Sequence, residues 1–502
     1  MKKPIVIYPF LFALFPVLAL YAHNMGELYL SSIWIPLAVS FGCALLLFVL
    51  SWLIFRDAIK AGIITSVFLV IFFADGHFRS LLEGWGWIRP AKYLPIAWGI
   101  CFIGIVYLIA RTKRQLNNLT NIFNVVGVSL ILVSSLSIAI NEFRRPSYDQ
   151  QTSTVVQSEP GEVGNLPDIY YIILDAYESA STLEELYNYD NSVFIDYLRG
   201  KGFYVPSQSV SNYAFTILSL ASSLNMEYIN YLSDVVGQQS MDFTIPNEMI
   251  KNNAVMSFLR SLGYSYVQFE TYEAVTGYNK YADQNIRCDQ KLLGLTQRNP
   301  FNTLLIETTI LNRLQDSTTM YREYVLNAFE KLAEMPDLKG PKFVFAHIIC
   351  PHWPYVFGAN GEIIEVASWQ TEAAQVQVRK YLNQVKFVNG KVETLVDEIL
   401  SKSEVPPIII LQGDHGLRGE CSQGLSSVQC MQDKFGILNA YYLPNGGEKL
   451  LYDAISPVNS FRVVFNSYFG TKYELEGDRC YSANVFKYPY EFVDVTDEVI
   501  HE

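Results

Sequence analysis

Charged residues are almost missing from several long stretches before residue 141, although they make up 17% of the whole chain. Five apolar stretches occur there, namely Ile5–Ala22, Ile33–Phe55, Ala61–Ala74, Tyr93–Ala110 and Ile122–Ile140. Most of them approach the roughly 20 residues that an α-helix needs to cross a bilayer. A buried helical domain fits this region poorly, because charges nearly vanish within the stretches. The sequence therefore predicts about five membrane-spanning helices in residues 1–141.

The third stretch, Ala61–Ala74, is the shortest of the five and ends at Asp75. A helix this short can tilt, be capped by other helices, or extend through Lys60. The sequence alone leaves these three alternatives open.

Positive charge in the short loops predicts how the helices are oriented, because basic residues prefer the cytoplasmic side of a membrane. The loops on one side of a five-span arrangement carry Lys2, Lys3, Arg56, Lys60, Arg111, Lys113 and Arg114. The opposite side carries Arg79, Arg89 and Lys92, which weakens the pattern. With an odd number of spans, everything after residue 141 is expected to lie outside the cytoplasm, which makes this a multi-pass protein of the inner or plasma membrane.

The chain also lacks an excess of positive charge, since its formal net charge is −12. This balance argues against nucleic acid as a partner. Residues 142–167 are polar and show no apolar period, which is typical of a linker. Residues 168–502 are numerous enough to form one large domain.

Continuous apolar runs in that domain predict strands buried on both faces of a sheet. The clearest runs are Asp168–Leu174, Lys342–Ile349 and Pro406–Leu411, and Gln375–Leu400 has the apolar spacing of a long amphipathic helix. Strands that alternate with helices predict an α/β domain with a mostly parallel sheet.

Histidine is scarce, with only six in the chain, yet three of them lie on or soon after the predicted strands. Asp175 follows the first strand, His347 and His352 belong to the second strand and its end, and Gly413-Asp414-His415-Gly416 follows the third. Open α/β sheets bind ligands at the carboxyl ends of their strands. Carboxylate oxygen and imidazole nitrogen suit a divalent metal such as zinc. The alternatives are a glycine-rich turn with a solvated Asp-His pair and, for His347, a core histidine.

Thr216 is the candidate nucleophile, because polar residues 211–213 lead toward it and a stretch of small and apolar residues follows. Near a helix N-terminus, backbone N–H groups and the helix dipole favour an anion such as a phosphoryl group. A metal would lower the pKa of the hydroxyl and make it a usable nucleophile. The alternative is a helix cap, and Ser211 or Ser219 could take the role of Thr216 instead.

Two of the seven cysteines, Cys421 and Cys430, bracket the short polar segment Ser422–Gln429. They could close it as a disulfide, which would agree with an oxidising compartment.

The order of these motifs resembles the sulfatase and alkaline-phosphatase superfamily. The most specific pieces are Gly413-Asp414-His415-Gly416 and Thr216-Ile-Leu-Ser219-Leu-Ala-Ser222, and Pro351-His352-Trp353-Pro354 lies between them. With its membrane region the chain is similar to the envelope branch of lipoteichoic acid synthases and lipid A phosphoethanolamine transferases. The resemblance covers nearly the whole chain and implies an alkaline-phosphatase-like domain over residues 168–502.

Carried over to this sequence, the resemblance implies one metal ion, zinc first and manganese or magnesium next. Its ligands would be Asp175, Thr216, Asp414 and His415, with Thr216 as nucleophile. His352 would contact the substrate phosphate or protonate the leaving group, and His347 and Trp353 are further substrate-binding candidates.

The sequence also departs from the families that it resembles. Those two families place Glu where Asp175 stands, so backbone position must compensate for the shorter side chain, or Glu178 contributes. A Cys- or Ser-x-Pro-x-Arg signature, which matures to formylglycine in true sulfatases, is absent around Thr216. The sequence shows no full second set of Asp and His ligands. Phosphoryl chemistry with one metal is therefore favoured over sulfate-ester hydrolysis or a two-metal phosphatase.

The resemblance implies transfer of a phospholipid-derived phosphoryl headgroup, phosphoethanolamine or phosphoglycerol, through a phosphothreonine. The partners would be a phospholipid donor and an envelope glycan or lipid acceptor. Two other functions stay open, and they are a hydrolase of phosphate or sulfate esters on envelope glycans and a non-catalytic membrane sensor or scaffold.

Overall fold

The computed structural model of this chain describes residues 4–25, 28, 30–85, 93–144, 166–271, 273, 275–288, 300–314, 317–366, 372–417 and 427–500. The chain forms two compact units. One unit consists of Met1–Arg145 with Thr296–Asp316, and the other consists of Pro146–Leu295 with Ser317–Glu502. The boundaries predicted from composition, 1–141, 142–167 and 168–502, stay predictions.

Five apolar helices lie in the described part of residues 1–145. They are α1 (Tyr8–His23), α2 (Trp34–Phe55), α3 (Ala58–Gly84), α4 (Leu94–Arg111) and α5 (Asn117–Arg144). Four helical segments are long and apolar enough to cross a membrane, namely Leu30–Phe55, Ala58–Leu82, Leu94–Arg111 and Asn117–Phe143. Helix α1 has 16 residues, which at about 1.5 Å per residue is shorter than a bilayer core of roughly 30 Å. Four apolar helices are thus present as expected, and the count of five spans stays a prediction.

Many large apolar side chains on these helices are exposed, with Ile54, Ile103 and Val133 each about 70% exposed or more. In water such a surface would be unfavourable, whereas in lipid it is matched to its surroundings. The helices therefore have the surface of membrane helices.

Helix α3 is longer than the stretch Ala61–Ala74 predicted it to be, because it continues through Lys60 at one end and past Asp75 at the other. The carboxylate of Asp75 does not end the helix, since it forms an ion pair with Arg313 inside the same unit. Of the alternatives left open by the sequence, extension is the one observed.

After residue 165 the chain adds eight strands and eleven helices among its described residues. The strands are β1 (Ile169–Leu174), β2 (Ser265–Glu270), β3 (Gln284–Arg287), β4 (Lys342–Ile348), β5 (Ile408–Gln412), β6 (Asn439–Tyr442), β7 (Tyr481–Asn484) and β8 (Tyr488–Asp494). The helices are α6 (Ala180–Tyr187), α7 (Ser192–Gly200), α8 (Thr216–Asn225), α9 (Thr244–Lys251), α10 (Ala254–Ser261), α11 (Pro300–Thr308), α12 (Ser317–Leu332), α13 (Ala374–Lys402), α14 (Ser427–Phe435), α15 (Pro457–Tyr468) and α16 (Thr496–Val499).

Six strands form the central sheet in the order β3-β2-β4-β1-β5-β6. All neighbouring pairs are parallel except β5 with β6, which is antiparallel. Strands β7 and β8 form a separate antiparallel hairpin. The predicted α/β fold with a mostly parallel sheet is confirmed.

Strand β1 shows why continuous apolar runs predict a sheet that is covered on both faces. Its side chains alternate between the two faces, as the period of a strand requires. Tyr170, Ile172 and Leu174 pack in one core with residues of α6, α7, α12 and α13. Ile169, Tyr171 and Ile173 pack in the other core with residues of α8, α9, α10 and α15. Both faces of the strand are buried in these cores, and neither face carries a charged side chain.

Candidate metal centre and nucleophile

The ends of three adjacent parallel strands bring the predicted site residues together. Strand β1 lies between β4 and β5, and Ile173 is in register with His347 on one side and Gln412 on the other. Asp175 directly follows β1, and Asp414 comes two residues after Gln412. Because the three strands run in the same direction, these side chains reach the same edge of the sheet.

Asp175, His347 and Asp414 form a buried group whose potential ligand atoms all lie within 4.8 Å of one another. None of the three is more than 2% exposed. Asp175 Oδ1, Asp414 Oδ2 and His347 Nε2 have no hydrogen-bond partner within the described residues. Buried polar atoms without partners are costly, and a cation would satisfy all three at once. The oxygen and nitrogen donors fit a divalent metal such as zinc.

His415 stands beside this group and links it to the hydroxyl of Thr216. Its Nε2 atom lies 3.6 Å from Asp175 Oδ1 and 3.4 Å from Asp414 Oδ2. The same nitrogen lies 3.1 Å from Thr216 Oγ1. The other ring nitrogen, Nδ1, donates to the Gly416 carbonyl at 2.7 Å, because a carbonyl oxygen can only accept. This bond leaves a lone pair on Nε2 of the neutral ring, directed toward the acids and Thr216.

Thr216 is the first residue of α8, and its side chain is 5% exposed. The N-cap position belongs to Phe215, whose side chain makes no capping bond. The hydroxyl of Thr216 therefore does not act as the helix cap, and it is directed to His415 instead. Of the three hydroxyl candidates, Thr216 is the one bonded to a residue of the cluster within the described part of the chain.

Backbone geometry places the short carboxylate of Asp175 within reach of the cluster. Its N–H still pairs with the Ile348 carbonyl at 3.0 Å, so Asp175 extends the sheet by one residue. The chain then turns at Ala176, which has a φ of 57°, and the Ala176 N–H donates to Asp414 Oδ1 at 3.1 Å. This turn connects the ends of β1 and β5 and fixes the two carboxylates relative to each other.

Glu178 is not a member of the buried group of Asp175, His347 and Asp414. Its Oε1 atom accepts from the Leu417 N–H, and its carboxyl is fully buried near Asp433. Burial, with a smaller effect from Asp433, raises the pKa of Glu178 well above its ordinary value. Glu178 therefore supports the Gly416-Leu417 peptide, and its bond to Leu417 does not direct it to the group of Asp175, His347 and Asp414.

His352 lies close to the group without joining its buried centre. Its ring centroid is 6.3 Å from that of His415, and its backbone N–H donates to the Asp175 carbonyl at 3.0 Å. Its Nδ1 atom donates to the Trp353 carbonyl at 2.6 Å, which leaves Nε2 as the nitrogen that can exchange a proton with a substrate. Trp353 is 38% exposed.

Electrostatics keep the central carboxylate charged. Burial alone would raise the pKa of Asp175, but the neighbouring imidazoles, His352 first, outweigh burial and hold that pKa below its ordinary value. Burial disfavours the charged form of His347, but Asp175 outweighs this effect and raises the pKa of His347 to about 9. A charged acid is what a metal site needs.

The segment after β2 contributes residues that sequence reasoning missed. Thr276 Oγ1 lies 2.8 Å from His347 Nδ1 and 2.8 Å from Thr271 Oγ1, so the two hydroxyls support the ring from behind. Glu273 lies near enough that the charge of Asp175, after burial, raises its pKa. The mostly apolar run Tyr266–Phe269 in β2, interrupted by Gln268, was the signal that could have located this segment.

Cys430 is disulfide-bonded, whereas Cys421 lies outside the described residues, so their predicted pairing stays a prediction.

Residues 167–455 match the sulfatase family. Among solved structures, the chain is similar to the C-terminal periplasmic domain of EcEptC from Escherichia coli, at 14% identity and a TM-score of 0.45, over 66% of this chain and 94% of that one. It is similar to the corresponding domain of the phosphoethanolamine transferase EptC from Campylobacter jejuni, at 10% identity and a TM-score of 0.42, over 63% and 92%. The lipoteichoic acid synthase LtaP from Listeria monocytogenes matches at 12% identity and a TM-score of 0.38, over 66% and 78%. Curated protein sequences gave no match. The family match covers more than half of the chain, and the chain belongs to the sulfatase family.

Proposed function

We propose that this protein is a membrane-bound, metal-dependent transferase that moves a phospholipid headgroup onto an envelope glycan or lipid through a phosphothreonine at Thr216. The observation that carries the proposal is the 3.1 Å contact between Thr216 Oγ1 and His415 Nε2, beside a group of buried acids. Membership of the sulfatase family, with Thr in place of a formylglycine precursor, supports phosphoryl chemistry over sulfate-ester hydrolysis. The headgroup is phosphoethanolamine or phosphoglycerol.

The metal ligands we propose are Asp175, Thr216, Asp414 and His415, and His347 lies near enough to Asp175 and Asp414 to join them. When bound, a divalent metal lowers the pKa of a ligating hydroxyl and neutralises charge on phosphate oxygens. The two acids supply the negative charge that holds such an ion in a buried position. We propose zinc first, with manganese or magnesium as alternatives.

Side chains of this protein carry out the attack and the proton transfers of the reaction. The Thr216 oxygen, which has lost its proton before the attack, bonds to phosphorus, and the bond from phosphorus to the diacylglycerol oxygen breaks. His352 donates a proton to the leaving oxygen from Nε2, since its Nδ1 is already bonded to Trp353. In the second half an acceptor hydroxyl attacks, gives its proton to His352 and releases Thr216. The N-terminal N–H groups of α8 favour the phosphoryl oxygens throughout.

The apolar helices explain why such an enzyme would be held in a membrane. Tethering raises the effective concentration of a lipid donor at the site without any new contact. We propose that the sulfatase-like unit lies outside the cytoplasm, where envelope glycans and lipids are the acceptors. Basic residues in the loops before α3 and after α4 support this orientation.

A donor assay tests the proposal. Full-length protein in vesicles would receive phosphatidylethanolamine with a labelled headgroup, and diacylglycerol and labelled acceptor would be quantified. Thr216→Ala should lower both products by roughly 10³-fold or more, because the attacking oxygen is lost. Thr216→Ser keeps an oxygen and should retain part of the activity. If Thr216→Ala still releases diacylglycerol, the claim that Thr216 is the nucleophile is refuted.

A hydrolase of phosphate or sulfate esters on envelope glycans is the second candidate, and family membership favours it. The donor assay distinguishes the two functions by the fate of the labelled headgroup. A transferase moves the labelled headgroup onto an acceptor, whereas a hydrolase releases it into water.

A further inference from the structure

One segment of the chain leaves the sulfatase-like unit and belongs to the unit of apolar helices. Helix α11 and the following turn, Ile310–Leu314, lie between β3 and α12 in sequence, yet residues 296–316 belong to the same compact unit as α1–α5. The chain therefore passes between its two units three times, at 145/146, 295/296 and 316/317.

A buried ion pair holds this segment against α3. Arg313 Nε lies 2.9 Å from Asp75 Oδ2, and Arg313 Nη2 lies 3.3 Å from Asp75 Oδ1, so the contact is bidentate. The side chain of Asp75 is 0% exposed and that of Arg313 is 20% exposed. A charge in a membrane helix is costly unless it is paired, and Arg is the residue best shaped to pair with a carboxylate.

The packing around the ion pair is equally close. Gly76 lies so near the backbone of Glu307 and Thr308 that any side chain at position 76 would overlap with it. Phe301 is fully buried, and its ring lies 6.4 Å from that of Tyr21 in α1. Leu305 packs on the core of Ala13, Ala44, Leu69 and Phe73. A charge pair, a glycine contact and apolar packing thus point to the same docked segment.

We propose that residues 300–314 are an anchor segment and that the Asp75–Arg313 ion pair is its lock. A single flexible linker leaves an attached domain free to reorient, whereas further chain crossings at a docked segment restrict that freedom. The lock is a positioning device for donors embedded in a bilayer and is not needed for donors dissolved in water. This second part rests on the proposed function.

Hydrogen–deuterium exchange of the full-length protein in nanodiscs tests the lock without reference to activity. Asp75→Asn removes the carboxylate that pairs with Arg313 in α3, so amides in 300–314 should exchange roughly 10-fold faster or more. The double variant Asp75→Asn/Arg313→Gln removes both charges of this ion pair and should recover most of the protection. The matched control is Asp57→Asn, the same change just before α3, where an amide oxygen can still accept from the Ile59 N–H. Exchange in 300–314 that is equal in the wild type and Asp75→Asn overturns the lock.

A second experiment compares two lipid donors in the wild type, Asp75→Asn, the double variant and the Asp57→Asn control. Dioleoyl phosphatidylethanolamine in phosphatidylcholine vesicles is the embedded donor, and dihexanoyl phosphatidylethanolamine below its micellar concentration is the dissolved donor. Asp75→Asn should slow the embedded donor roughly 10- to 100-fold and change the dissolved donor less than about twofold, with recovery in the double variant. Equal slowing of both donors overturns the positioning role. If the wild type turns over neither these two lipids nor the phosphatidylglycerols with the same acyl chains, the proposed function fails, and the exchange data alone decide whether the segment is an anchor.

Discussion

Two buried acidic clusters adjoin the Asp414–Leu417 loop, and they shift the pKa values of their acids in opposite directions. In the metal-side cluster, Asp175 and Asp414 meet His347 and His415, and the pKa of Asp175 lies below its ordinary value because neighbouring imidazoles outweigh burial. In the support cluster, Glu178 and Asp433 meet tyrosines. Burial, with a smaller effect from Asp433, raises the pKa of Glu178 well above its ordinary value, and burial raises the pKa of Asp433 to about 6.

Burial is nearly the same in the two clusters, since all four acids are at most 2% exposed. The difference lies in the partners, because imidazoles can take a positive charge and Tyr187, which donates its hydroxyl to Asp433, cannot. A lowered pKa keeps Asp175 charged and suited to hold a cation, whereas the raised pKa values of Glu178 and Asp433 disfavour the charged form that a cation needs. The comparison therefore assigns metal binding to one cluster and structural support to the other.

The two clusters are connected through one peptide group. Glu178 accepts from the Leu417 N–H, and the carbonyl of the same peptide, that of Gly416, accepts from His415 Nδ1. The support cluster thus fixes the orientation of the ring whose Nε2 meets Thr216.

The largest expected difference comes from making the same change, acid to amide, in each cluster. Asp414→Asn removes a charged oxygen from the metal-side cluster and should lower transfer activity by roughly 10³-fold and weaken zinc binding. Glu178→Gln replaces a carboxyl whose charged form burial already disfavours and should retain activity within a few fold. Activity assays and zinc titration of both variants check this contrast. Equal losses in the two variants would break the distinction between the clusters.

A smaller effect is expected from adding a side chain at Gly416, which lies between the metal-side cluster and the support cluster. A side chain at Gly416 would overlap with the backbone carbonyl of Asp433 and crowd Glu178 Oε1, so Gly416→Ala should destabilise the fold by about 3 kcal/mol. The control is Gly390→Ala, which adds a methyl group to open space on α13 and should be neutral or stabilising by about 0.5–1 kcal/mol. Thermal unfolding of both variants in detergent measures the difference. A tolerated alanine at position 416 would show that the clusters are not closely packed against the loop.

The smallest effect is a pH dependence of stability that belongs to the support cluster. The pKa of Asp433 is about 6 in the folded protein against an ordinary value of 3.8, so the folded state binds the proton more tightly. This contribution to stability is fully present below the lower value and is lost as pH rises through the higher one, at a cost of at most about 3 kcal/mol. Asp433→Asn keeps an acceptor for Tyr187 and should gain stability over wild type between pH 4 and pH 7. If the melting temperatures of wild type and Asp433→Asn change equally with pH across this range, the raised pKa of Asp433 is contradicted.

The sequence predicted the parts of the fold that depend on short-range patterns. Continuous apolar runs located β1, β4 and β5, and a parallel sheet then required Asp175, Asp414 and His415 to meet at one edge. The order of motifs identified Thr216, whose hydroxyl contacts His415 as the predicted shared site requires. The roles of these residues as ligands and nucleophile stay predictions.

Long-range contacts could not be predicted in this way. Asp75 and Arg313 are 238 residues apart in sequence, and no local pattern connects a polar residue in an apolar helix with a segment that lies between β3 and α12. Thr276 supports His347 from a segment after β2, whose mixed apolar and polar residues gave a weaker signal than the continuous runs. Glu178 is a candidate ligand by its type and position, and only the structure shows that its carboxyl accepts from the Leu417 N–H.

The most direct test of this account is an anomalous difference map from crystals of the full-length protein loaded with zinc. The account predicts a peak about 2.0–2.2 Å from Thr216 Oγ1, His415 Nε2 and oxygens of Asp175 and Asp414. A peak that lies away from Thr216, or no peak at the ends of β1 and β5, would contradict the claim that these four side chains hold the metal ion that activates the nucleophile.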